Sequence, residues 1–130
     1  MSKKKTILII EDQADLVDMM TFQLVAHNYE VVSARHGAEG LTLLSTVNPD
    51  LILLDLNMPK LGGIEFCHRI TQSDGTLKYP VFVLTARAHT EDIVKEFNVD
   101  GFMVKPFTMD QLLKEVEKIL NRNSLNNELS

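Results

Sequence analysis

Five short apolar runs, each separated from the next by a segment with helical spacing, constrain this chain more than any other feature. They are Ile7-Leu8-Ile9-Ile10, Val31-Val32, Leu51-Ile52-Leu53-Leu54, Val81-Phe82-Val83-Leu84 and Phe102-Met103-Val104. Four are nearly continuous rather than alternating, which suits strands buried on both faces of a parallel sheet. The second lies between Glu30 and Ser33 and predicts a less covered edge strand. Between the runs, Leu16, Met19, Met20 and Leu24 mark one helical stripe, and Leu41 and Leu44 part of a second. Ile64, Cys67 and Ile70 mark a third, and Ile93, Val94 and Phe97 a fourth. Leu112, Val116, Ile119 and Leu120 mark a fifth, with Thr108 as its cap and Gln111 placed to reach back. Asn28, Gly37, Asn48-Pro49, Gly62-Gly63, Asp74-Gly75, Pro80 and Gly101 fall where the breaks belong.

A β-α unit repeated five times predicts an α/β fold: a doubly wound, five-stranded parallel sheet with five helices on two faces. Right-handed crossovers leave few topologies open. At ~150 residues per domain, a chain of 130 residues is one domain. The pattern predicts that domain over residues 1–121, followed by a loose polar tail over 122–130 that lacks a stripe. On this reading no attached output domain is present, and a signal must leave through a surface that binds another molecule.

Composition narrows the function. A single cysteine, Cys67, excludes an internal disulfide framework and a multi-cysteine zinc site, and fits a reducing compartment. It lies on the third stripe, where packing explains it better than redox sensing. The four histidines lack ligand spacing. A net charge of −5 argues against broad binding of a nucleic-acid backbone, and Lys3-Lys4-Lys5 fits a solvated terminal end. No apolar run approaches the ~20 residues of a membrane span, and the start lacks a signal-peptide core. The expectation is a cytoplasmic chain with no nucleic-acid or membrane partner.

In open α/β sheets, ligands bind outside the carboxyl ends of the strands. Glu11 and Asp12 follow the first run, and Asp55 ends the third. Thr85-Ala86 ends the fourth, and Lys105-Pro106 the fifth. Three carboxylates brought together repel unless a cation joins them. Hard oxygen donors without His or Cys suit Mg2+. A carboxylate beside a divalent cation and a lysine can attack phosphorus and form an acyl phosphate. Taken singly, each residue has a plainer explanation. Glu11-Asp12 fits a helix cap equally well, Asp55 a turn, and Lys105-Pro106 a strand exit. The joint occurrence, each at the end of a separate strand, carries the signal. No Walker-type or dinucleotide-type glycine loop is present.

Those stretches resemble a response-regulator receiver domain of two-component signalling, of the single-domain chemotaxis-regulator type. The resemblance rests on Ile-Leu-Ile-Ile-Glu-Asp-Gln (7–13), Asp-Leu-Ile-Leu-Leu-Asp-Leu-Asn-Met-Pro (50–59) and Gly-Gly-Ile-Glu (62–65). It continues through Pro-Val-Phe-Val-Leu-Thr-Ala (80–86) and Gly-Phe-Met-Val-Lys-Pro-Phe (101–107). It implies a flavodoxin-like sheet of order 2-1-3-4-5. It implies that Asp55 is the phosphoacceptor, and that Glu11, Asp12, Asp55 and the Asn57 carbonyl hold Mg2+. By the same resemblance Thr85 is the switch hydroxyl, Lys105 pairs with the phosphoryl group, and the Lys105–Pro106 peptide is cis. Phe102 stands at the switch aromatic, often Tyr in the family, and has no hydroxyl to bond. Glu11 replaces a first Asp, and Asn57 and Arg87 stand where dephosphorylation is tuned.

The expected function is therefore a phosphoacceptor switch rather than an enzyme, with self-catalysed phosphoryl transfer and autodephosphorylation as accompanying activities. Its expected donor is a sensor histidine kinase or histidine phosphotransfer protein. A downstream protein would bind the face of helix 4, strand 5 and helix 5, on a monomer or a phosphorylation-dependent dimer. Two alternatives are a phosphorylation-independent interaction module on the same fold and, last, a small phosphotransfer or flavodoxin-like enzyme.

Overall fold

Ile7 to Ile10 are all 0% exposed, which a strand achieves only when both of its faces are covered. The computed structural model describes residues 4–56, 62–86 and 95–129, with side chains as far as Arg122. Its elements are β1 (Thr6–Ile10), α1 (Ala14–Ala26), β2 (Glu30–Ala34), α2 (Gly37–Leu43) and β3 (Leu51–Asp55). They continue as α3 (Gly63–Arg69), β4 (Val81–Thr85), β5 (Gly101–Val104) and α4 (Met109–Leu129). Residues 95–97 are also helical and carry Phe97 of the fourth stripe, whereas Ile93 and Val94 lie outside the described residues.

The five strands form one parallel sheet in the order β2-β1-β3-β4-β5. Successive side chains of a strand point to opposite faces, and the two cores follow from that alternation. Leu8, Ile10, Ile52, Leu54, Val81 and Val83 pack with Phe66 and Cys67 of α3 on one face. Ile7, Ile9, Leu51, Leu53, Phe82 and Leu84 meet Met20 and Leu24 of α1 and Leu112, Val116 and Ile119 of α4 on the other. Each fully buried aliphatic side chain contributes about 1.5–3 kcal/mol.

Three expectations differ in detail. β5 is an edge strand, and Phe102 and Val104 are 37% and 44% exposed rather than covered on both faces. Met19 and Ile64 stand outside the buried arcs of their helices, at 55% and 43% exposure, while Phe66 takes the core position on α3. Helical spacing fixes an apolar face to within about one position, and here the face is rotated by that much. Finally, α4 runs on through the expected tail to Leu129. No glycine or proline interrupts residues 109–129. Its start is fixed by a reciprocal cap: Thr108 N donates to Gln111 Oε1 at 3.0 Å, and Gln111 N to Thr108 Oγ1 at 3.1 Å.

Candidate functional site

The chain leaves β1 towards β2 on one side of the sheet and returns to β3 on the other, so a crevice opens past the ends of β1 and β3. Hydrogen bonds between neighbouring strands hold the residues at this edge. Glu11 N donates to Ala34 O at 3.0 Å, Leu56 N to Leu84 O at 3.1 Å, and Lys105 N to Thr85 O at 2.7 Å. Each site residue thus leaves a strand whose last backbone bonds are made to a neighbour. Glu11, Asp55 and Thr85 are 1–2% exposed, whereas Asp12 faces solvent.

Carboxylate oxygens of Glu11, Asp12 and Asp55 all lie within 4.8 Å of one another. Lys105 enters this acidic group from β5. Its Nζ donates to Glu11 Oε1 at 2.7 Å and lies 3.7 Å from Asp55 Oδ2. Burial pushes the Glu11 carboxyl above its ordinary value, the Lys105 bond pulls it back, and the Asp55 charge raises it again. The Lys105–Pro106 peptide is cis. Asn57 and Arg87 lie outside the described residues. Phe102 stands apart on β5, where it lines a cavity of about 470 Å³ with Gln111 and Lys114 of α4.

Hard oxygens, an excess of negative charge and, among the described residues, no His or Cys in the group make this a fitting site for a divalent cation. The helix-cap reading of Glu11-Asp12 does not describe the geometry. Gln13 is the N-cap of α1, and Glu11 Oε2 accepts from Gln13 N at 3.2 Å.

Two features escaped the sequence. One is Gly63, which sits against the end of β3. A Cβ there would come within 2.8 Å of Leu56 Cα and 2.9 Å of Asp55 O, so only glycine lets α3 start so close to Asp55. The Gly62-Gly63 pair signals a turn, not that approach. The other is Gln13, whose Oε1 lies 3.5 Å from Lys105 Nζ. Beside it opens a cavity of about 780 Å³, lined by Gln13, Leu16, Met19, Lys105, Pro106 and Phe107.

Fold and site together define a flavodoxin-like α/β protein with an acidic crevice, fit for a divalent cation, at the carboxyl edge of its sheet. The response regulator receiver domain model matches residues 7–117, and the chain belongs to that family. It is 36% identical over 123 residues to the alkaline phosphatase synthesis transcriptional regulatory protein PhoP of Bacillus subtilis, covering 93% of this chain and 50% of that one. The chain thus spans about half the length of the curated relatives it matches. Response regulator protein TrrA of Thermotoga maritima, solved in complex with Mg(2+)-BeF, superposes with a TM-score of 0.76 at 28% identity. That match covers 88% of this chain and 98% of TrrA. Chemotaxis response regulator CheY4 of Vibrio cholerae gives a TM-score of 0.80 at 28% identity, covering 89% and 98%.

The chain is therefore a receiver domain acting as a signalling switch, and its acidic cluster fits a phosphorylation site with a divalent cation. The phosphorylation-independent alternative is not favoured, because the acidic set is complete. Among the described residues, no helix is long and apolar enough to cross a membrane. The expectation of no nucleic-acid partner finds no support, since relatives such as PhoP are transcriptional regulators.

Proposed function

We propose that Asp55 accepts a phosphoryl group from a phosphohistidine on a sensor histidine kinase or a histidine phosphotransfer protein. An Asp55 carboxylate oxygen forms the new bond to phosphorus as the phosphorus–nitrogen bond breaks, and the departing imidazole takes up a proton. Glu11, Asp12, Asp55 and the Asn57 carbonyl would hold Mg2+. The ion would offset charge on the phosphoryl oxygens. Lys105 pairs with one of those oxygens, and Thr85 hydrogen-bonds another. Movement of Thr85 and rotation of Phe102 then alter the face built from the fourth helical segment, β5 and α4, where a downstream protein or a second copy binds.

The observation that carries this reading is the convergence of three carboxylates and one ammonium, with Lys105 Nζ 3.7 Å from Asp55 Oδ2. The receiver unit is proposed to span residues 1–121, with 122–130 as a polar C-terminal tail. Self-catalysed transfer from small donors, autodephosphorylation and a cytoplasmic site of action belong to the same reading. The test is labelling by a small phosphodonor such as phosphoramidate. Label should require Mg2+ and disappear in Asp55→Asn. Equal labelling of the mutant would overturn the assignment.

A further inference from the structure

We infer that Gln13 is a positioning residue for Lys105, taking over its ammonium when Glu11 is committed to a divalent cation. The inference rests on the receiver reading of the site. The Glu11 side chain is 0% exposed, and both of its oxygens have protein donors: Lys105 Nζ at 2.7 Å on Oε1, and Gln13 N at 3.2 Å on Oε2. A cation on Glu11 and an ammonium on the same carboxylate repel each other. Lys105, whose side chain is 16% exposed and lines the same cavity as Gln13, must then find another acceptor.

Two further oxygens lie close to Nζ. Asp55 Oδ2, at 3.7 Å, belongs to the acidic cluster that attracts the cation. Gln13 Oε1, at 3.5 Å, is a neutral amide oxygen. An amide oxygen is a good acceptor for an ammonium and a weaker competitor than a carboxylate for a hard dication.

The local backbone agrees. Gln13 occupies the N-cap of α1 with φ −85° and ψ 105°, where a short polar side chain would turn back onto the helix amides. The Gln13 side chain makes no such bond and reaches towards Lys105 instead. Its backbone N–H meanwhile holds Glu11 Oε2, so one residue contacts both members of the pair.

The test is a double-mutant cycle on Mg2+ affinity, measured by isothermal titration of the 130-residue chain with Mg2+ alone. Gln13→Ala should raise the Mg2+ Kd about three- to tenfold, the worth of one hydrogen bond lost from the cation-bound state. In a Lys105→Met background the same substitution should leave Kd unchanged, because no ammonium remains to be caught. A purely structural role at the helix start would weaken binding in both backgrounds, and that result overturns the inference. So does an unchanged Kd in both. If the wild-type chain shows no saturable Mg2+ binding, the proposed Mg2+ site falls and takes the inference with it. Melting followed by circular dichroism verifies that each variant is folded before titration.

Discussion

Lys105 Nζ donates to Glu11 Oε1 at 2.7 Å, joining the exit of the first strand to the exit of the last across 94 positions of sequence. The ammonium lies a full ångström farther from Asp55, at 3.7 Å. In this arrangement Lys105 acts as the counter-ion of the acidic cluster, and a divalent cation must compete with it. Lys105→Met keeps the aliphatic stem and removes the charge. Mg2+ should then bind roughly tenfold more tightly at pH 7.5, the size expected for removing one nearby positive charge from a partly screened site. The metal-free variant should melt at a lower temperature, since Glu11 is left as a buried charge without its ammonium. Titration calorimetry and thermal melts measure both.

Protons compete for the same site. Burial holds the folded Glu11 carboxyl above its unfolded value. The folded chain therefore takes up that proton more readily than the unfolded chain does. This contribution to stability is fully present below the unfolded pKa and is lost as pH rises through the folded one. A bound cation reverses the effect, because it requires the ionised carboxylate. The rise in melting temperature caused by Mg2+ should thus be larger at pH 7.5 than at pH 5. An equal rise at the two values would contradict this prediction.

Gly63 separates stability from site geometry. Gly63→Ala drives a Cβ into the backbone of Leu56 and Asp55, at 2.8 and 2.9 Å. It should cost about 1–3 kcal/mol in urea unfolding and also weaken Mg2+ binding, because the end of β3 must shift. Gly75→Ala is the control. Gly75 has φ +88° and nothing within 4 Å of the added Cβ. It should cost about 1–2 kcal/mol from backbone strain and leave Mg2+ affinity unchanged.

Cys67 is 0% exposed, and burial, with a smaller push from the Glu96 charge, raises its thiol to about 12. A disulfide reagent at pH 8 should label it only through opening of the fold, at a rate that rises with added urea. Rapid stoichiometric labelling of the native chain would contradict the packing of α3 on the sheet.

Much of the fold was legible because burial repeats. Leu112, Val116, Ile119 and Leu120 recur at helical spacing, and all four are buried. Ile7 to Ile10 and Leu51 to Leu54 form continuous runs, and both strands lie inside the sheet. The acidic residues were legible as strand exits. Three things were not. The rotation of α1 and α3 that exposes Met19 and Ile64 depends on how each helix sits on the sheet, which spacing alone leaves open by about one position. The partner of Lys105 depends on side-chain reach across separate loops, and the ammonium meets the Glu11 carboxylate at 2.7 Å. The close approach at Gly63 depends on where α3 docks, not on its turn.

The central claim is that Asp55 carries the phosphoryl group, and the most direct measurement identifies the modified residue chemically. The chain is treated with phosphoramidate and Mg2+, then reduced with borohydride, which converts an aspartyl phosphate to homoserine. Peptide mass spectrometry should find homoserine at position 55 only, and none when Mg2+ is replaced by a chelator. Homoserine at Asp12 or another carboxylate, or an unmodified Asp55 in a chain that binds Mg2+, would contradict the claim.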